Sequence, residues 1–372
     1  MSVTAVPVEK TEADSPTLSH EWIRSFLESG SIVSSNDTMA WVGWGEANRS
    51  ARASERRLSV FAPDFMLEDR EPWTLYEFGA EIEIESLIQA LAPFDRAPVE
   101  SFEWNQPSRE PFAREFEDLQ RLIVAGVLSK AVPVIARTSP NGLDIYHRAS
   151  VLRKALRVTQ GFPMTTFGFW TTLDDPGGQG MIGATPEILF RQNGLLRTMA
   201  LAGTRRVDST EGSLLDDPKE LLEHRFVIEG IASRLEPFGE VRIGETSELR
   251  LPSLIHLHTP IEVAPAFDVR FEEWVTALHP TPAIGAWPLE EGWTWLRAQP
   301  IAKTRRRFGA PFGMIAPNHE EGKCVVAIRN VQWTANESMV LAGCGIVGPS
   351  KLDREWSELH AKLDAVQEAL GL

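Results

Sequence analysis

Cysteine is scarce in this chain: two among 372 residues, Cys324 and Cys344. So few exclude a disulfide framework or a cysteine-built metal cluster. Both lie in apolar runs, so each is expected to be reduced and buried as a small hydrophobe. Long apolar runs are missing as well. No stretch approaches the roughly 18 apolar residues of a spanning helix, so no membrane segment is expected. Basic residues are in deficit, 37 Lys and Arg against 52 Asp and Glu, for a net charge of -15. Without a basic patch no nucleic-acid partner is expected. The densest basic stretch, Lys303 to Arg307, reads as a solvated loop or helix end at least as readily as an anion site. Residues 1–20 have neither the basic start nor the apolar core of a secretion signal. They read as a polar tail, and a cytoplasmic location is expected. No internal repeat or low-complexity segment occurs.

What is present is apolar mass, 43% of the residues, enough for one large domain or two. Short apolar runs at 41–44 and 58–61 read as strands, with Trp41 and Trp44 as core packing. Ile84, Leu87, Ile88 and Leu91 share one face of a helix over 83–91. Phe112, Phe116, Leu119 and Ile123 do the same over 110–129, and a β-rich run follows at 130–136. Further strands are expected at 164–171, 180–182, 188–191, 254–263, 325–331 and 339–347. A long helix opens near 216–220, capped by Asp216 or Asp217 with Pro218 in its first turn. The chain ends in an amphipathic helix from Asp353, with Trp356, Leu359, Leu363, Val366 and Leu370 as its apolar stripe. Many strands with irregularly interspersed helices predict an α+β fold, not a βαβ repeat.

The candidate chemistry sits in spaced acids and bases. Glu355, Glu358 and Lys362 fall at i, i+3 and i+7 of the last helix, one stripe at the margin of its apolar face. Taken alone they read as a surface ion pair worth about 0.2–0.5 kcal/mol. Glu223 and His224 lie between Leu222 and Phe226. A carboxylate so flanked requires a cation or a metal. Two glutamates from two helices suit a hard ion such as Mg2+, which keeps waters and binds substrate oxygens. His224 reads equally as a supporting residue or a plain helix histidine. Glu187 follows Thr185 and Pro186 at a strand start. Gly203 with Thr204, and Gly343 with Gly345, permit close backbone approach or mark simple turns. Arg329, in the apolar run 325–329, needs an anion, either a substrate carboxylate or a structural partner. Lys130, leading a β-rich run, is a desolvated base or an ordinary strand-end lysine.

The order of these segments is more telling than any one of them. Gly183-Ala-Thr-Pro-Glu187, Ala200-Leu-Ala-Gly-Thr204, Glu223-His224, His256-Leu-His-Thr259 and Leu278-His-Pro-Thr-Pro-Ala283 come first. Val325-Val-Ala-Ile-Arg329, Ala342-Gly-Cys-Gly-Ile-Val347 and Glu355-Trp-Ser-Glu358 with Lys362 follow. This series resembles the chorismate-utilising enzymes over roughly residues 125–370. The resemblance implies an α+β fold of two large antiparallel sheets packed face to face, with helices outside and the site between. It implies one domain over 21–372, with a divergent part at 21–110 and a catalytic core at 111–372. It also implies Mg2+ held by Glu223 and Glu358 with Glu355 nearby. Chorismate carboxylates would be bound by Arg329, Lys362 and backbone near Gly203, Thr204 and Gly345, with His279 as a further substrate contact.

Within that family the residue at 130 discriminates. Ammonia-using members resemble this segment but carry glutamine there; members that add water carry lysine as general base, as here. Glu187 would be the general acid for the departing 4-hydroxyl. Ala283, and the lack of a lysine after Pro288, resemble isochorismate synthases. The implied activity is a hydroxyl-shifting isomerase that turns chorismate into isochorismate for menaquinone or siderophore synthesis. No glutamine amidotransferase subunit is expected. Salicylate synthases, ammonia-using synthases and an inactive chorismate binder are the alternatives. The chain departs from the family pattern near Ile135 and Arg137, over 312–317, and at Cys344.

Overall fold

Strands are many, as the alternating apolar segments predict, and among the described residues all but three join into one path. The computed structural model describes residues 18–95, 102–171, 178–210 and 212–372. Most of the expected polar tail lies outside them. The sheet starts at Gly239–Ile243 and runs through Leu254–Pro265, Leu196–Arg206, Ile188–Gln192, Gly322–Val326, Pro311–Ile315 and Ser59–Phe61. It continues through Trp73–Glu83, Met39–Ser50, Gly30–Ser34, Thr165–Thr171, Gln179–Thr185, Asn330–Thr334 and Glu337–Gly343 to Val134–Ser139. Neighbouring strands are antiparallel throughout. Two large antiparallel halves face each other, as expected. Phe167 of one half meets Phe312 of the other at 5.5 Å between ring centres. Val33, Val60, Tyr76, Met181 and Met314 fill the same inner core. The halves are not separate sheets, because Ser59–Phe61 and Trp73–Glu83 carry the hydrogen bonding from one to the other.

A larger core joins the sheet to the helices, through Leu152, Leu156, Val227, Ile231, Leu359 and Leu363 among others. No helix among the described residues is long and apolar enough to cross a membrane. Cys324 and Cys344 are both free and buried.

Several elements differ from the sequence expectation. The helix over 110–129 is Arg109–Val124; Gly126, with φ of 71°, turns the chain out of it. The expected strand 325–331 is two strands, with Arg329 at the break and a left-handed φ of 56°. Ile145–Thr159, capped by Asp144, and the shorter helices Phe271–Leu278 and Leu289–Ala298 were not foreseen. The basic stretch starts at the end of a short helix, Pro300–Lys303, and two of its arginines turn inward. Arg305 is buried with its guanidinium 3.4 Å from the Phe65 ring centre. Arg307 donates to the Ala62 carbonyl. Aromatic faces and free carbonyls are what hold these cations inside.

Candidate active site

Two helix starts supply the acids. Asp217 caps Pro218–Leu235, its side chain accepting from the amides of Lys219 and Glu220. Helical spacing then places Lys219, Glu220 and Glu223 on one inward face. The first half of Leu352–Leu370 brings Glu355 and Glu358 against them. Glu220 and Glu355 are fully buried and Glu223 nearly so. Lys219 lies 3.0 Å from Glu223 and 3.3 Å from Glu355. Glu358 pairs with Lys362 at 2.6 Å, and Lys362 also donates to the Gly343 carbonyl at 2.9 Å. The spacing that alone suggested a surface ion pair is therefore the wall of a buried acid cluster.

These acids repel one another. Burial, reinforced by Glu358, pushes the Glu355 carboxyl up to about 8. Burial and Glu223 push Glu220 up to about 7. Burial would raise Glu223 as well, but Lys219 and Lys130 hold it down at about 2. Glu220 Oε1 and both oxygens of Glu355 lack a well-formed hydrogen bond among the described residues. Buried carboxylate oxygens without donors fit a hard, oxygen-seeking dication. Among the described residues no three such groups converge on one ion-sized point, and the Lys219 ammonium contacts Glu220, Glu223 and Glu355.

The base candidate comes from a two-residue strand, Lys130–Ala131, paired with Ala286–Trp287. Lys130 is fully buried, and its Nζ lies 3.2 Å from Glu223 Oε1. Burial lowers its proton affinity, partly opposed by Glu223. Gly345 makes the contact possible. A Cβ there would lie 2.0 Å from Glu223 Oε1 and 2.6 Å from Lys130 Cε. The acid candidate, Glu187, follows Gln179–Thr185 and Pro186. Its amide donates to Thr185 Oγ1, and the Thr281 hydroxyl reaches its Oε1 at 3.4 Å. Burial pushes the Glu187 carboxyl up to about 7, against the pull of Lys130.

Arg329 turns inward at its left-handed break. One of its nitrogens lies 3.4 Å from His256 Nε2, while His256 Nδ1 lies 2.9 Å from the Gly203 carbonyl. A carbonyl only accepts, so Nδ1 carries the proton and Nε2 faces the guanidinium with its lone pair. Burial and Arg329 hold the imidazole down at about 3, hence neutral.

Glu187, Gly203, Thr204, Glu223, Arg329, Gly345 and Lys362 all line one narrow cavity of about 50 Å³, closed by apolar groups such as Ile284 and Phe308. Lys130 and Glu358 touch that lining through Glu223 and Lys362. The Thr204 amide donates to Glu220 at 3.1 Å, so it is committed to an acid of the cluster. His279 is not part of the cavity. Its Nε2 lies 2.7 Å from the Phe65 carbonyl and its ring packs on Phe65 and Trp293, which turns it away from the substrate space. Thr281, two residues on, takes the place near Glu187. Sequence reasoning also passed over Lys219, Glu220 and His256, although Lys219 and Glu220 share the helical face of Glu223. His224 is buried, its Nε2 2.8 Å from Thr259 Oγ1, outside the cavity lining.

Two helices and the ends of several strands thus bring Glu187, Glu223, Arg329 and Lys362 to one cavity, with Lys130 and an acid cluster against it. The chain belongs to the chorismate binding enzyme family, whose sequence pattern matches residues 81–371. It is 38% identical over 205 residues to the salicylate biosynthesis isochorismate synthase of Pseudomonas aeruginosa, covering 52% of this chain and 43% of the relative. It is 34% identical over 210 residues to the isochorismate synthase MenF of Bacillus subtilis, with the same two shares, 52% and 43%. The matched part thus spans less than half the length of these curated relatives. A crystal structure described as a 2,3-dihydroxybenzoate-specific isochorismate synthase, DhbC from Bacillus anthracis, superposes with a TM-score of 0.76. The superposition covers 95% of this chain and 99% of that one at 23% identity, and it bears out the fold.

Proposed function

We propose that this protein is an isochorismate synthase, an isomerase that adds water at carbon 2 of chorismate and releases the 4-hydroxyl. The observation that carries the reading is the pairing of proton affinities. Burial lowers the proton affinity of Lys130, opposed by Glu223 3.2 Å away, while burial raises Glu187 to about 7. Lys130 takes a proton from water as the new carbon–oxygen bond forms. The ring double bonds shift, and Glu187 gives its proton to the hydroxyl leaving carbon 4. One water enters and one leaves, so the product is an isomer of the substrate. Ammonia needs no base to become a nucleophile, so a buried lysine favours water.

Arg329 and Lys362 meet the two carboxylates, and the apolar walls exclude bulk water. Glu223 and Glu358, with Glu355 and Glu220 beside them, would hold Mg2+, which supplies positive charge against the substrate's ring carboxylate. Reaction in ¹⁸O-labelled water tests the scheme: the product should carry the label in its new hydroxyl. Unlabelled product, or an aminated product formed from ammonia, would overturn it.

A further inference from the structure

Lys219 has no part in the chemistry above, yet no other lysine of the site touches as many acids. It is the second residue of Pro218–Leu235, beside the Asp217 cap. Its Nζ lies 3.2 Å from Glu220 Oε1, 3.0 Å from Glu223 Oε2 and 3.3 Å from Glu355 Oε1. The side chain is 8% exposed. Of the three contacts only that to Glu223 is a well-formed hydrogen bond. The ammonium thus neutralises charge without satisfying the oxygens around it. A magnesium ion draws oxygens to about 2.0–2.1 Å, and the Lys219 ammonium already lies within 3.3 Å of three carboxylates of the acid cluster, Glu223 among them.

We propose that Lys219 is an internal stand-in for the divalent ion: it occupies the place between Glu220, Glu223 and Glu355 when no ion is bound, and withdraws when one enters. This rests on the acid cluster being the magnesium site. Two consequences follow from the geometry. The stand-in keeps Glu220, Glu223, Glu355 and Glu358 from repelling one another in the ion-free protein. It also cuts the apparent ion affinity to the intrinsic value multiplied by the fraction of molecules in which the lysine is withdrawn. The partly exposed groups nearest in sequence and contact are Asp217 and Arg354, which pair at 2.8 Å and are 16% and 39% exposed, so withdrawal on that side requires this pair to part. The long, flexible lysine stem starts in the first helical turn, next to that rim.

The test is Lys219→Met in the full chain, purified with magnesium and then stripped. Mg2+ titration calorimetry, Mn2+ electron paramagnetic resonance and thermal melts with and without chelator are compared with wild type. The variant should bind the ion at least roughly tenfold more tightly. Its melting temperature should fall by roughly 5 °C or more in chelator and recover with magnesium, while wild type changes less. Lys219→Arg, which keeps the charge, should bind the ion no more tightly than wild type. Equal affinity and equal chelator response in Lys219→Met and wild type would overturn the stand-in role. So would a Lys219→Met protein that fails to fold even with magnesium, since the lysine would then be a plain structural cation. If neither protein binds either ion, the magnesium-site reading itself fails, an outcome distinct from equal binding by both.

Discussion

Lys130 Nζ and Glu223 Oε1 lie 3.2 Å apart with both side chains buried. The candidate base and a candidate ion ligand thus share a contact, and Gly345 is the residue that leaves room for it.

That contact makes Gly345 intolerant of a side chain. Gly345→Ala sets a methyl 2.0 Å from Glu223 Oε1, so the carboxylate must move and the lysine with it. We expect kcat to fall on the order of 100-fold, since small misplacements at a reacting centre cost that much. Circular dichroism should still report a folded chain. A kcat within twofold of wild type would show that the contact is not needed.

Lys130→Ala and Glu187→Gln should each lower kcat by about 10²–10⁴, the usual worth of a general base or acid. Chorismate affinity, read by calorimetry, should hold in both, because Arg329 and Lys362 remain. Turnover near that of wild type in either variant would remove that residue from the chemistry.

The pH profile of kcat should be bell-shaped. Glu187 acts protonated, so the rate falls as pH rises through about 7. The other limb is set by Lys130, which accepts a proton only when neutral and whose proton affinity burial lowers. Stability carries the same signature. Folding raises the Glu187 pKa from 4.5 to about 7, so its contribution is full below 4.5 and lost as pH rises through about 7. The loss is on the order of 3 kcal/mol. Glu355, raised to about 8, acts in the same direction at higher pH. Denaturant melts across pH 5 to 9 should show a shallower decline in Glu187→Gln; identical slopes would contradict the assignment.

Glu358→Ala should raise the magnesium concentration for half-maximal activity about tenfold or more, as loss of an ion ligand requires. An unchanged metal titration would take Glu358 out of the ion site.

The α+β class and its two facing antiparallel halves were legible in the sequence through the family resemblance. The order of the short motifs placed Lys130, Glu187, Glu223, Arg329, Glu355 and Lys362 together before any geometry was known. Spacing alone misjudged the last helix, because i, i+3 and i+7 define a stripe but not what the stripe faces. Glu355 is fully buried only because Pro218–Leu235 packs its own acids against it. Lys219 was within reach of the same reasoning, at i, i+4 from Glu223. His256 against Arg329 was not, since 73 residues separate them and only strand pairing brings them together. His279 was misplaced for a related reason: a motif gives a residue's neighbours, but the Phe65 carbonyl decides where its ring points. Ile145–Thr159 carried a usable signal in its Asp144 cap and in Leu152 and Leu156 four apart.

The most direct measurement is product analysis of the purified chain with chorismate and magnesium, with a chelator control, by chromatography and NMR. The account predicts isochorismate without pyruvate, formation that stops in chelator, and no aminated product when ammonia is added. Salicylate with pyruvate, anthranilate or aminodeoxychorismate from ammonia, or tight chorismate binding with no turnover would contradict it.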